Sequence, residues 1–208
     1  MTDNLSVDAN VTLSSAQATS AGSLERLRAA ARTLFVRDGF HKTRPQDIVR
    51  EAGVANGTFY LHFRDKQAAF LDFAQQAQSE LLESYRSRLE GVVGLRERWT
   101  VIINTLLDFS EEHPGVLFAA YLDPVFLAPE HEDAWQLYDR MGYFIAMAAG
   151  DADVYDELAG RYNVELLSHA VSGMLRHAMI CAWRKQLPRE ELVAELVGFI
   201  DHALAFEH

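Results

Sequence analysis

The chain has 208 residues, of which 49% are hydrophobic and 11% aromatic, which is enough for one large or two small packed domains and argues against disorder. No apolar run reaches the roughly 18–20 residues of a membrane-spanning helix, and the N-terminus lacks the basic and apolar regions of a signal peptide. The single cysteine, Cys181, excludes an internal disulfide framework. We therefore expect a soluble, cytoplasmic protein.

The first 22 residues are rich in Ser, Thr, Ala, Asn and Asp and contain neither Lys nor Arg. Their composition predicts a mobile tail. The first helix should begin after Ser23, a good N-cap residue, and end at Gly39, which tolerates the backbone conformation that follows a helix. Its buried stripe is predicted to be Leu24, Leu27, Ala31, Leu34 and Phe35.

The next stretch has the pattern of a helix-turn-helix motif. A short helix is predicted from Pro45 to about Glu51, followed by a turn at Gly53 and a second helix over about Asn56–Phe63. Apolar residues recur at helical spacing and should face inward. The polar residues left facing outward can donate hydrogen bonds to phosphates or to base edges, and they are Asn56, Thr58, Tyr60 and His62.

The charge is divided unevenly along the chain, whose net charge is −11. Residues 24–66 carry nine basic and five acidic side chains, so this segment has a net charge of +4. The residues after 66 carry ten basic and 23 acidic side chains. Only the helix-turn-helix segment has the sign to approach DNA phosphates, and the acidic remainder should be held away from them.

The motif GTFYLHF at residues 57–63, with Gly53-Val54 before it and Lys66 after it, resembles the DNA-binding domain of the TetR family of bacterial transcriptional regulators. The resemblance covers roughly residues 24–72. It implies an all-α fold with three parts: a tail over 1–22, a three-helix helix-turn-helix DNA-binding domain over 23–68, and an effector-binding and dimerisation domain over 69–208.

The resemblance also implies roles for individual residues. Thr58, Tyr60, His62 and Lys66 match positions that contact the DNA backbone, whereas Gln46 and Asn56 match positions suited to base edges. Gly57 would let the backbone approach DNA closely. For Tyr60 and His62 the alternative is packing against the first helix.

Two positions depart from the family pattern. Arg44 replaces a frequent Ser or Thr cap, so either Thr43 caps the helix instead or Arg44 contacts a phosphate. Ala55 stands where a capping Ser is frequent, and DNA itself would then satisfy some of the free N–H groups.

A long helix is predicted from Lys66 to Leu89, capped by Asp65 and followed by helix-breaking glycines. The later elements are predicted as helices over Leu95–Glu112, Glu130–Ala149, Asn163–Lys185 and Pro188–Glu207, with a shorter piece within Gly115–Phe126. The last two helices are apolar on two faces each, and the resemblance implies a homodimer formed through them.

Aromatic side chains are frequent in the middle of this region, and TetR-like proteins bind small effectors there. The residues predicted to contact such an effector are Trp99, Phe109, Phe118, Tyr121, Trp135 and Tyr138. For each one, a place in the core is the competing interpretation. The composition slightly favours a hydrophobic or cationic effector.

No catalytic motif accompanies these features, and His177 and Cys181 on an apolar helix are better explained as core residues than as a nucleophile pair. The histidines show no metal-ligand spacing, so we expect no metal and no cofactor. The sequence predicts a homodimeric, ligand-responsive repressor of transcription. The alternatives are an activator, or a small-molecule-binding helical protein whose DNA-reading domain has decayed.

Overall fold

The computed structural model describes residues 5–122, 135, 140, 144–150 and 152–204, with the side chains of 5–19, 121–122 and 144–146 left aside. Within these ranges the regular structure is entirely helical and contains no strand, as predicted. The chain divides into two compact units, Met1–Ala74 and Gln75–His208.

The described helices follow one another with short connections. They are α1 (Leu5–Lys42), α2 (Pro45–Ala52), α3 (Thr58–His62), α4 (Lys66–Leu89), α5 (Leu95–Glu112), a π-helical segment (Phe118–Leu122), α6 (Phe144–Ala149), α7 (Ala152–Arg161), α8 (Val164–Lys185) and α9 (Arg189–Leu204).

The start of α1 differs from the prediction, because the helix begins at Leu5 and Ser23 lies inside it. The Ser23 hydroxyl donates to the carbonyl oxygen of Ser20 at 2.8 Å. A serine can thus satisfy its hydroxyl against the preceding turn without ending a helix, which is why the predicted cap at Ser23 is wrong. The mobility of residues 1–22 stays a prediction.

The end of α1 agrees better with the sequence. Gly39 has φ 79° and ψ 165°, so it interrupts the helical backbone where the helix was predicted to end. Leu27, Leu34 and Phe35 on the predicted stripe are buried. The Phe35 ring meets that of Phe70 edge-on, with the centroids 5.0 Å apart, and such aromatic pairs add to the energy of simple burial.

Thr43 joins α1 to α2 from a buried position. Its hydroxyl donates to the carbonyl oxygen of Gly39 at 2.8 Å and lies 3.3 Å from that of Leu34. The suggestion that Thr43 caps α2 is therefore wrong, because its hydroxyl is used by the end of α1. The N-cap residue of α2 is Arg44, which makes no side-chain capping bond.

Helices α4 and α5 begin and end as predicted. The helix α4 starts at Lys66, and the Ala68 amide donates to Asp65 Oδ1 at 2.8 Å. This hydrogen bond is the main reason that the pKa of Asp65 is lowered. The predictions for α4 and α5 are confirmed at both ends.

The later helices show a mixed outcome. Asn163 caps α8 by accepting from the Leu166 amide, and α8 ends at Lys185 as predicted. Helix α7 was not predicted, although Val154 and the buried Leu158 recur at i, i+4 in its sequence. Parts of the helix predicted over Glu130–Ala149 and of the piece ending at Phe126 lie outside the described residues, as does the end of the last helix beyond Leu204.

The core of the second unit is formed mainly where α5 packs against α9 and α6. Helix α6 also contacts α7 and α8. The fully buried side chains include Tyr85, Trp99, Ile102, Leu158 and Ile200.

We expect Thr43→Val to lower the free energy of unfolding by about 1–2 kcal/mol, because the buried Gly39 and Leu34 carbonyls lose the hydroxyl donor while the side-chain shape is kept. Thr33→Val is the matched control, since its exposed hydroxyl also donates to a helix carbonyl, that of Ala29. Urea unfolding followed by circular dichroism measures both. Equal effects of the two substitutions would contradict a special role for Thr43.

Candidate nucleic-acid interface

The turn between α2 and α3 is set by backbone geometry. Gly53 adopts φ 62° and ψ 38°, and its amide donates back to the carbonyls of the last turn of α2. This left-handed conformation is easy for glycine and confirms the predicted turn. The Thr58 amide then donates to the Ala55 carbonyl at 2.8 Å, which begins α3.

The two helices are held by a small apolar interface. Ile48, Val49 and Ala52 of α2 and Phe59 of α3 are buried. Both helices also contact α1. The opposite surfaces of α2 and α3 are therefore left to polar and exposed residues, as the sequence pattern indicates.

Helix α3 is shorter than predicted, with five residues from Thr58 to His62. Asn56 and Gly57 lie in the preceding turn, and no side chain caps the helix at Gly57. No side-chain hydroxyl therefore caps the first amides of α3, as expected from Ala55 in place of a serine. A Cβ atom at Gly57 would meet nothing within 4 Å, so the glycine leaves open space outside the helix.

Seven of the eight residues predicted to contact DNA lie in α2, in α3, in the turn between them or directly before α2, and the eighth, Lys66, is the first residue of α4. Four of the side chains are exposed, namely Arg44, Gln46, Asn56 and Tyr60. Thr58, His62 and Lys66 are half-buried, and Gly57 is exposed backbone. The segment thus presents several hydrogen-bond donors to solvent from one contiguous stretch.

His62 makes a long-range contact with α1. Its Nε2 lies 2.8 Å from Ser23 Oγ, and the Ser23 hydroxyl already donates to the Ser20 carbonyl. This contact agrees with the alternative that His62 packs against the first helix.

Lys66 is likewise engaged with the end of α1. Its ammonium group donates to the Phe40 carbonyl at 2.8 Å and lies 4.1 Å from the centroid of the Phe40 ring. Burial lowers the pKa of this lysine. Because an ammonium has three donors, a phosphate contact would use those that Phe40 leaves.

Arg44 differs from the neighbouring arginines. Arg50 pairs with Asp47 at 2.7 Å, and Arg64 pairs with Asp65 at 3.0 Å. The Arg44 side chain forms no hydrogen bond or ion pair within the part of the chain that the structure describes. Its guanidinium is thus available to an external anion.

The sequence reasoning overlooked Leu61, whose exposed fraction is 82%. Leu61 stands two residues from both Phe59 and Phe63, which are buried, so it points about 200° away from each around the helix. The exposure of Leu61 could therefore have been predicted from its spacing relative to the two phenylalanines. An exposed leucine on this helix offers an apolar contact of the kind that a thymine methyl group accepts.

An ion pair with two hydrogen bonds joins α1, which contacts α2 and α3, to the start of α4. Arg28 of α1 donates from Nε and Nη2 to the two carboxylate oxygens of Asp72 in α4, at 3.1 and 2.8 Å. Paired hydrogen bonds of this kind fix orientation as well as distance.

The residues predicted to contact an effector are placed in different environments. Trp99 and Phe109 are buried, whereas Phe118 and Trp135 are exposed. The Tyr121 side chain and Tyr138 lie outside the described residues. The indole N–H of Trp99 is buried and has no hydrogen-bond acceptor among the residues that the structure describes.

A surface cleft of about 390 Å³ lies between α5 and α9 and contains none of the predicted aromatic residues. It is lined by Arg96, Thr100, Asn104, Arg189, Glu190, Val193, Ala194 and Val197. In the described ranges no cluster of three or more His, Cys, Asp or Glu residues is suited to a metal ion. None of the helices in those ranges is long and apolar enough to cross a membrane.

Comparison with known proteins identifies the N-terminal unit. Residues 27–72 match the model of the family described as bacterial regulatory proteins, tetR family. The chain is 31% identical over 160 residues to the uncharacterised HTH-type transcriptional regulator YvdT of Bacillus subtilis, covering 72% of this chain and 79% of the relative. It is 43% identical over 181 residues to YerO of the same organism, covering 85% of this chain and 63% of the relative.

The fold has solved counterparts as well. The transcriptional regulator FadR from Bacillus subtilis, in complex with stearoyl-CoA, aligns with a TM-score of 0.65 at 16% identity, covering 89% of this chain and 100% of that chain. Its similarity extends over both units and supports the all-α architecture. Together with the relationship to YvdT and the helix-turn-helix geometry, these findings establish that the chain belongs to the TetR family of bacterial transcriptional regulators.

Proposed function

We propose that this protein is a repressor that binds a pseudo-palindromic operator as a homodimer and is released by a small-molecule effector. The proposal rests chiefly on the exposed donors around α2 and α3, in a segment with a net charge of +4. The first unit, up to about residue 68, would read DNA, and the remainder would bind the effector and the second subunit. A dimer of this type would place its two α3 helices in successive major grooves, roughly 34–36 Å apart.

Phosphate and base contacts have different candidates. Arg44 has no side-chain partner among the described residues and is the strongest candidate for a phosphate contact, with Thr58 and Tyr60 beside it. Gln46 and Asn56 are exposed amides, which can pair with adenine through two hydrogen bonds. Leu61 joins them as an apolar contact to a thymine methyl group.

The dimer is supported by apolar side chains that α8 and α9 leave in solvent. Trp183 is 81% exposed and Phe199 is 65% exposed, and Leu166 is exposed as well, as is Leu187 in the connection between the two helices. Such side chains on two neighbouring helices favour a second copy of the same surface as the partner, because an isologous interface buries the same apolar patch of both subunits.

The effector is proposed to bind in the second unit near Trp99. A buried indole N–H without an acceptor costs about 1–3 kcal/mol, and an effector oxygen would remove that cost. FadR in the comparison contains stearoyl-CoA, which makes a long-chain acyl-CoA the first effector to test. Binding to a conformation that cannot hold both half-sites would lower the affinity for DNA.

Selection from genomic fragments should enrich one pseudo-palindromic sequence. Light scattering of the complex should give the mass of a protein dimer bound to that sequence.

Arg44→Ala should weaken binding to every sequence and reduce the slope of log K against log salt by about one, since one phosphate contact is lost. Arg86→Ala removes the same charge from an exposed position of the second unit and is the matched control.

No enrichment, together with weak binding that ignores sequence, would refute the repressor and favour the alternative of a helical small-molecule-binding protein with a decayed DNA-reading domain. A promoter–reporter fusion carrying the enriched sequence gives the sign of regulation. Expression that rises when the protein is supplied would indicate an activator instead.

Leu61→Ala should relax discrimination at one base pair by about fivefold, because a lost apolar contact to a thymine methyl group costs on the order of 1 kcal/mol. Competition with operators in which single thymines are replaced by uracil, which lacks the methyl group, measures the effect directly. The wild type should lose affinity at one such position and Leu61→Ala should not. A uniform loss across all positions would contradict this role.

Stearoyl-CoA should raise the dissociation constant of the operator complex, and Trp99→Phe should blunt that response by up to about tenfold, the worth of one hydrogen bond. Tyr162→Phe also removes one aromatic hydrogen-bond donor from the second unit, but outside the predicted effector contacts, and should respond as the wild type does. An operator complex that is insensitive to saturating stearoyl-CoA would exclude long-chain acyl-CoA as the effector.

A further inference from the structure

Arg98 of α5 makes an unusual set of contacts, all with backbone carbonyl oxygens. Its Nη1 donates to the carbonyl of Val92 at 2.7 Å and lies 3.3 Å from that of Leu89. Its Nε and Nη2 donate to the carbonyl of Met147 at 3.0 and 2.6 Å, and Nε lies 3.2 Å from that of Ala148. One guanidinium therefore joins two separate stretches of backbone within the second unit, 89–92 and 147–148.

These carbonyls belong to places where the backbone needs donors. Leu89 is the last residue of α4 and Val92 follows it, while Met147 and Ala148 lie in the last turn of α6. The last carbonyls of a helix have no partner within the helix and carry partial negative charge. The planar guanidinium supplies several donors in a fixed geometry, so it caps the ends of both helices at once.

Gly150, directly after α6, is fitted to this arrangement. Its φ is +81°, and a Cβ atom there would lie 2.6 Å from Arg98 Nε and 2.7 Å from Cζ. A side chain at this position would displace the guanidinium itself. The five contacts of Arg98 thus depend on a glycine at residue 150, which lies 52 positions away in the sequence.

We propose that Arg98 is a positioning residue that couples the distal end of α4 to α6, so that operator binding and the state of α6 influence each other. The inference rests on the proposed function, since it takes operator DNA as one of the two ligands. Helix α4 begins immediately after the helix-turn-helix motif and is a single helix from Lys66 to Leu89. A shift of α6 is passed to α4 through the guanidinium, and by reciprocity DNA at α3 stabilises α6.

Hydrogen exchange of the full-length protein, with and without the selected operator duplex, tests the coupling without a known effector. In the wild type the operator should slow exchange in 58–62, which reports DNA binding itself, and in 86–94 and 144–150. Allosteric couplings commonly amount to roughly 5–150-fold, so we expect slowing of about fivefold or more in 144–150.

Arg98→Met keeps much of the side-chain length but removes all the donors. The operator should still slow exchange in 58–62, whereas the response in 144–150 should disappear. A merely structural role would speed exchange of the free protein in 144–150 but leave the response to DNA in place. Arg98→Lys keeps the charge with one donor group and should restore part of the response.

Gly150→Ala provides a second route should Arg98→Met fold poorly, because it displaces the guanidinium without changing Arg98. Gly91→Ala is its matched control, with a similar φ of +73° but nothing within 4 Å of the added Cβ. Both carry the backbone strain of a left-handed alanine, and only Gly150→Ala should abolish the response in 144–150.

A wild type in which 58–62 responds to the operator and 144–150 does not would overturn the coupling and leave the proposed function standing. An equal response of 144–150 in the wild type, Arg98→Met and Gly150→Ala would also overturn it. Absence of any response in 58–62 would show that no operator is bound, and both the proposed function and the coupling would then be wrong.

Discussion

The arrangement of the N-terminal unit depends on how the end of α1 is satisfied. Gly39 breaks the helix, and the carbonyls at a helix end need donors from beyond the helix. The hydroxyl and amide of Thr43 donate to the Gly39 carbonyl, and the ammonium of Lys66 donates to that of Phe40. Thr43, two residues before α2, and Lys66, the first residue of α4, thus both bind to this end of α1, and α3 lies in the chain between them.

The second unit solves the same problem with a different side chain. The ends of α4 and α6 share the guanidinium of Arg98 in place of a hydroxyl and an ammonium. Both solutions use polar groups brought from a distance to satisfy carbonyls that a helix cannot satisfy alone. Each one also creates a connection between helices that apolar packing would not make specific, because hydrogen bonds demand particular distances and directions.

Local sequence signals account for what could be predicted. The Asp65 cap, the turn at Gly53 and the ends of α4 and α5 each depend on residues within one helical turn, and all were predicted correctly. The errors involve longer-range partners or competing local bonds. Ser23 was assigned to a cap because its hydroxyl was assumed to face the following turn, whereas it faces the preceding one and His62, 39 positions away. No periodic pattern encodes such a pairing.

The same long-range contacts limit which side chains near α3 are available to bind DNA. His62 and Lys66 were predicted from the family resemblance to contact phosphates, and both hold α1 as well. A phosphate contact by either side chain would therefore compete with, or be added to, a hydrogen bond that positions the motif. Arg44 carries no such obligation in the described structure, so a phosphate can use its full charge at no cost to the fold. We therefore propose that Arg44, which departs from the family pattern, adds a phosphate contact and is not a sign that the motif has decayed.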